Sequence, residues 1–140
     1  GPGPDESYAD MAVAALVGVH ERAIDDLSVA YARPQETGHR PDLRWVRLWG
    51  EEGPSLELRT FAELGGAGKG VRPGFTASRH TAQQLSAAAH PHELPPSEGV
   101  HLYLDAAQHG LGSRSCGPDV LPGHQLWPGA YSFAVAIRVR

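Results

Sequence analysis

Alternation of apolar and polar positions is clearest near the C-terminus, where Tyr131, Phe133, Val135, Ile137 and Val139 interleave with Ser132, Ala134, Ala136, Arg138 and Arg140. A period of two predicts a half-buried β-strand. Trp45-Val46-Arg47-Leu48-Trp49 and Leu56-Glu57-Leu58-Arg59-Thr60-Phe61 flank Glu51-Glu52-Gly53-Pro54, which predicts an antiparallel hairpin closed by a Gly-Pro turn. Val100-His101-Leu102-Tyr103-Leu104 predicts another short strand. A helix is predicted near residues 81–89, where Thr81 can cap, Gln83, Gln84, Leu85 and the alanines favour it, and Pro91 ends it. Residues 11–27 admit two readings. Val13, Leu16, Val17, His20, Ile24 and Leu27 fit a helical stripe, whereas Gly18 and the β-branched Val13, Val17 and Val19 disfavour a helix. The pattern as a whole predicts a mainly β fold.

Composition sharpens that picture. Glycine and proline together make 29 of 140 residues, about 21% against a usual ~12%, which favours short elements joined by turns and excludes a coiled coil. The length suits about one domain. Surface scaling gives roughly 7,000 Å² for a compact chain of this mass against roughly 21,600 Å² unfolded. A net charge of −4 without a basic run leaves no electrostatic footprint for nucleic acid or an anionic membrane, and neither partner is expected. The single cysteine, Cys116, cannot form an internal disulfide or a multi-thiolate zinc site, and nothing points to an oxidising compartment, so a cytoplasmic location is expected. No apolar run reaches the ~18 residues of a spanning helix, and the opening Gly1-Pro2-Gly3-Pro4-Asp5-Glu6 lacks the basic and apolar regions of a signal peptide. That opening has no Met either, as expected of a cloning scar or a chain cut from something longer.

No motif completes a catalytic constellation. Gly65-Gly66-Ala67-Gly68-Lys69-Gly70 resembles a phosphate-binding loop, but Glu63 stands where the first glycine should be and Gly70 where the Mg²⁺-binding hydroxyl should be; it reads as a loop. In His90-Pro91-His92 two imidazoles flank a proline with no i, i+4 histidine pair and no carboxylate partner, so no metal site is expected. Cys116 with His109 or His124 lacks an orienting group for a nucleophile pair. Asp25-Asp26 and Glu51-Glu52 are sequence neighbours, which a strand would send to opposite faces.

Four collinear stretches carry a resemblance. Gly3-Pro4-Asp5-Glu6-Ser7-Tyr8-Ala9-Asp10 and Tyr31-Ala32-Arg33-Pro34-Gln35-Glu36-Thr37-Gly38-His39-Arg40 resemble the C-terminal, small-chain domain of β-galactosidases of glycoside hydrolase family 2. Phe75-Thr76-Ala77-Ser78-Arg79-His80-Thr81-Ala82-Gln83-Gln84-Leu85 is similar to that family's F-x-x-S-R-(aromatic or His)-x-x-Q-Q-L stretch, and Gly110-Leu111-Gly112-Ser113-Arg114-Ser115-Cys116-Gly117-Pro118-Asp119-Val120 to its G-hydrophobic-G loop. The resemblance spans essentially the whole chain. It implies an antiparallel β-sandwich of the galactose-mutarotase-like supersandwich type, of which residues 1–140 would be the C-terminal half. It also implies a strand over residues 14–21. With first-half strands missing, unpaired edges should make the isolated piece associate or need the rest of the enzyme.

The implied chemistry is retaining hydrolysis of terminal non-reducing β-D-galactose from β-galactosides such as lactose. The two glutamates that perform it lie in the family's central barrel, so no catalytic residue is expected in this chain. Mg²⁺ and Na⁺ belong to other domains, so no cofactor is expected here. Implied partners are the remaining domains or a large subunit and the β-galactoside substrate, in a homo-oligomeric parent. The loop at residues 113–118 would form part of the wall around the leaving sugar. Best-known members place a stacking tryptophan where this chain has Cys116, so Cys116, Ser115 and Arg114 are the candidate aglycone-binding residues. A thiol offers no flat face, which puts that contact in doubt and predicts weaker selectivity for lactose over simple galactosides. A small residue in a turn is the alternative reading of Cys116. For the whole chain the alternatives are the small subunit of a split, heteromeric β-galactosidase and a stand-alone carbohydrate-binding module using Trp45, Trp49 or Trp127.

Overall fold

The computed structural model describes residues 1–13, 15–62, 70–97, 99–113 and 116–140. Its elements are β1 (Pro2–Gly3), β2 (Leu16–Val17), β3 (Trp45–Leu48), β4 (Leu56–Phe61), β5 (Gly74–Ser78), α1 (Ala82–Ala87), β6 (His101–Asp105) and β7 (Ala134–Val139), with 3-10 turns at Ile24–Leu27, Pro91–Glu93 and Pro122–His124. Every strand pairing between them is antiparallel: β1 with β2, β5 with β6, and a three-stranded sheet in the order β3-β4-β7. The fold is mainly β, built of antiparallel sheets as a β-sandwich is.

The predicted hairpin is β3–β4, with Trp45 opposite Arg59 and Leu48 opposite Leu56. Its turn places Gly53 at φ +90°, a region open to glycine and costly to other residues. The C-terminal alternation is β7, which pairs along the other side of β4 with Ile137 opposite Leu58 and Arg138 opposite Glu57. Because side chains alternate across a sheet, Val46, Leu48, Leu56, Leu58, Val135, Ile137 and Val139 share one face, and Arg47, Glu57, Arg59 and Arg138 share the other. The polar face centres on Glu57. Its carboxylate takes hydrogen bonds from Arg47 at 2.6 and 3.2 Å and from Arg59 at 2.8 Å, while Arg140 stands 3.9 Å away. These arginines hold the Glu57 carboxyl down to about 2.

Helix α1 starts where predicted and is shorter. Thr81 accepts from the Gln84 amide and Gln84 returns a side-chain bond to the Thr81 amide, a capping box; the helix ends at Ala87, before Pro91. The helical stripe over residues 11–27 is not realised. Leu16–Val17 form β2 and Ile24–Leu27 a 3-10 turn, so the implied strand is present over two residues and Ala14 lies outside the described residues. Gly18 and the β-branched residues disfavour a helix, and pairing to β1 fixes the extended form. Strand β5, where no alternation is legible, forms because its backbone is taken up on both sides: by β6, and by Arg40, whose amide and carbonyl bond Phe75 at 2.9 Å each. Residues 40–44 tie the two larger sheets together, since Leu43 donates to Pro73 and Arg44 accepts from Thr60.

Burial is thin and unusually polar. Tyr8, Leu27, Leu43, Leu58, Ala77, Ala88 and Val120 are buried, but so are Ser7, Thr37, His39, Arg40, Glu57 and Thr60. The accessible surface is 9434 Å², about a third above the roughly 7,000 Å² of a compact chain of this mass. Part of the excess is the apolar face of the three-stranded sheet: Leu58 is covered, yet Ile137 and Val139 of the same face are 64% and 66% exposed.

Candidate functional site

The loop over residues 110–118 is built from three glycines and a remote carboxylate. A tight turn in which Tyr8 and Met11 exchange backbone hydrogen bonds at 3.2 and 3.0 Å presents Asp10 outward. The Asp10 carboxylate accepts the Leu111 amide at 2.9 Å and the Gly112 amide at 2.8 Å, which pulls its pKa below the usual carboxylate range, with the Gly112 bond the largest cause. Gly110 donates to the His124 carbonyl at 2.9 Å. Gly112 has φ +65°, and a Cβ there would lie 2.9 Å from the Val120 amide nitrogen, so the G-x-G pattern is a packing requirement.

Beyond that clamp the chain turns back on itself. Ser113 bonds the Pro118 carbonyl through its amide at 3.2 Å and its hydroxyl at 3.1 Å, and the Cys116 and Gly117 amides both donate to the Ser113 carbonyl, at 2.9 and 2.6 Å. Cys116 therefore sits in the closed end of the loop, exposed. Of the other two candidates, Arg114 and Ser115 lie outside the described residues. Behind the loop Val120 is buried and its carbonyl accepts from Gln125 at 3.0 Å. His109 uses Nδ1 on the Gly110 carbonyl at 2.8 Å, so it shapes this backbone.

The turn that presents Asp10 is held by a buried polar knot. Arg40 spends its guanidinium on carbonyls: Pro4 at 3.1 and 2.8 Å, Leu27 at 2.9 Å and Gly38 at 2.6 Å. Burial lowers the Arg40 pKa, opposed by Glu6 and Asp5. Glu6 accepts the Gly38 amide at 2.6 Å and the Tyr8 hydroxyl at 3.2 Å. Burial and then Glu6 push the Tyr8 phenol up to about 12. The His39 ring lies 5.8 Å from the Tyr8 ring, tilted 37° to it, and its Nδ1 is 3.4 Å from Thr76 and 3.7 Å from Asp105; burial pulls its pKa down and Asp105 opposes this. The two N-terminal stretches that carry the resemblance thus meet across more than thirty positions as a scaffold, and Asp10, which holds the Leu111 and Gly112 amides, is a contact that no spacing in the sequence exposes.

The remaining candidates fall elsewhere. Of the glycine-rich stretch over residues 65–70, residues 65–69 lie outside the described residues, as does Glu63, and Gly70 donates its amide to the Ala62 carbonyl at 2.8 Å. Asp25 and Asp26 are on a 3-10 turn, not a strand, and Asp25 takes a forked bond from Arg79 at 2.9 and 3.3 Å. Glu51 and Glu52 are exposed in the hairpin turn. Trp45 and Trp49 line one shallow cleft with the 1–4 segment, but Trp49 lies beyond the end of β3; they and Trp127 are 42%, 58% and 64% exposed. The supposed lack of a carboxylate near His90 and His92 is corrected: the 3-10 turn brings the Glu93 carboxylate to 3.0 Å from His90 Nδ1.

Comparison with known sequences decides the family. The profile of the family described as beta galactosidase small chain matches residues 1–137. The chain belongs to the β-galactosidase small-chain family. It is 51% identical over 99% of its length to a β-galactosidase of Arthrobacter sp. (strain B7), 32% identical over 99% to one of Aeromonas hydrophila and 30% identical over 90% to one of Staphylococcus xylosus. The chain spans 13%, 12% and 12% of those relatives, respectively. Among the described residues, no helix is long and apolar enough to cross a membrane.

Proposed function

We propose that this small-chain domain is the C-terminal structural and active-site-wall portion of a retaining, family 2 β-galactosidase that releases terminal non-reducing β-D-galactose from β-galactosides such as lactose. The observation that carries this reading is the end-to-end identity of 51% to a β-galactosidase of which the chain makes up only 13%. One glutamate of the parent attacks the anomeric carbon and a second acts as acid and then base, about 5–5.5 Å apart. Both belong to the rest of the polypeptide or to a large subunit, and the chain by itself is not catalytic. A cytoplasmic location goes with this reading.

Residues 1–140 are, on this view, the C-terminal half of a larger supersandwich. The excess surface and the bare Ile137 and Val139 on an otherwise apolar sheet face support it, since the missing half would cover them. What the chain gives the parent is a wall: Asp10 pins the base of the loop, and Cys116, flanked by Ser115 and Arg114, faces the leaving sugar.

Assay of o-nitrophenyl β-galactoside hydrolysis tests the division of labour. The full polypeptide, or the chain together with its large subunit, should turn the substrate over and the isolated chain should not. Turnover by the isolated chain, or an inactive parent, would contradict the proposal.

A further inference from the structure

Outside the wall loop, the described residues that could hold a metal ion form one cluster: His90, His92 and Glu93, whose donor atoms lie within 4.8 Å of one another. Local structure organises it. Pro91 opens the 3-10 turn and fixes the backbone between the two histidines. The His90 and His92 rings stack at 5.5 Å, 17° from parallel. Glu93 is anchored from behind, its Oε2 accepting the Ala89 amide at 2.8 Å, so Oε1 faces the imidazole. All three side chains are exposed and can close inward without disturbing the core.

We propose that His90, His92 and Glu93 form a surface site for a borderline divalent cation of the Zn²⁺, Ni²⁺ or Cu²⁺ type. The geometry is close to what such an ion requires. Tetrahedral bonds of about 2.0–2.1 Å set ligand atoms about 3.3 Å apart, and His90 Nδ1 and Glu93 Oε1 already stand 3.0 Å apart. The cation takes the place of the proton those two atoms share, which leaves to solvent, and rotation of His92 brings in the third ligand. Water fills the remaining position. Two imidazoles and one carboxylate suit Zn²⁺, Ni²⁺ or Cu²⁺, whereas Mg²⁺ prefers six oxygens and keeps its waters.

Calorimetric titration of Zn²⁺ into the full polypeptide that carries this chain, with millimolar Mg²⁺ present to fill hard-cation sites, tests the assignment. His92→Asn and Glu93→Gln should each weaken one stoichiometric Zn²⁺ site at least about tenfold, and the double variant His90→Asn/His92→Asn should abolish it. Melting temperatures without metal should be unchanged, because the side chains are exposed. A double variant that binds Zn²⁺ as the unaltered protein does, or a site that excess Mg²⁺ empties, would overturn the proposal.

Discussion

The Asp10 carboxylate lies 2.8 Å from the Gly112 amide nitrogen across 102 positions of sequence, so one exposed side chain sets the base of the loop over residues 110–118. Asp10→Ala leaves two loop amides without their acceptor and should cost about 1 kcal/mol. Hydrogen exchange at Leu111 and Gly112 should accelerate at least severalfold, with Asp10→Asn in between. Unchanged exchange in the alanine variant would show that the loop holds itself.

Arg40 ties three separate backbone segments together through the Pro4, Leu27 and Gly38 carbonyls. Replacing it with Met leaves the Pro4, Leu27 and Gly38 carbonyls short of donors and Glu6 without a compensating charge, so denaturant unfolding of the full polypeptide should show a loss of about 3 kcal/mol or more. Arg40→Lys should not restore it, because an ammonium cannot reproduce the planar fork that reaches three carbonyls.

Acid sensitivity should come in two ranges. Burial lowers the His39 pKa from 6.5 in the folded chain, so the unfolded chain takes up that proton first. Its stabilising contribution is complete above about 6.5 and declines as the pH falls below that value. The Glu57 carboxyl moves from 4.5 to about 2; its contribution is complete above 4.5 and is lost as the pH falls toward 2. Melting temperature against pH should therefore have a shallower upper slope in His39→Gln and a shallower lower slope in Glu57→Gln, the remainder of the lower slope coming from Asp10, Asp25 and Glu93, whose pKa values are also lowered.

Ile137 reports on what covers the sheet. In the isolated chain it is 64% exposed, so Ile137→Ala should change stability by less than about 0.5 kcal/mol. In the full polypeptide the same substitution should cost about 2–4 kcal/mol, as removal of a buried isoleucine does. Equal small effects in both would mean that nothing covers this face. Concentration-dependent association of the isolated chain in sedimentation, reduced by Ile137→Glu, should accompany the first outcome.

Strands that carry their own pattern are legible in the sequence: β3, β4, β6 and β7 alternate because one face of each is apolar, and α1 announces itself through Thr81 and Gln84. Strands β1 and β5 are not legible, since Pro2–Gly3 and Gly74–Ser78 have no alternation and become strands through partners far away in sequence. The same reason hides the site. Asp10 and Leu111, Glu6 and Gly38, and Arg40 and Pro4 meet only once the chain is folded, and periodicity carries no information about such meetings. Glu93 beside His90 was three residues away, yet only the 3-10 turn after Pro91 makes the distance short.

The most direct test of the wall assignment is the Michaelis constant for lactose in the full enzyme carrying Cys116→Trp, measured beside that for a nitrophenyl β-galactoside. An indole at the exposed end of the loop offers the leaving sugar a flat apolar face worth roughly 0.5–1.5 kcal/mol, so the lactose KM should fall about two- to tenfold while the aryl galactoside changes little. An unchanged lactose KM would contradict the placement of this loop beside the leaving sugar.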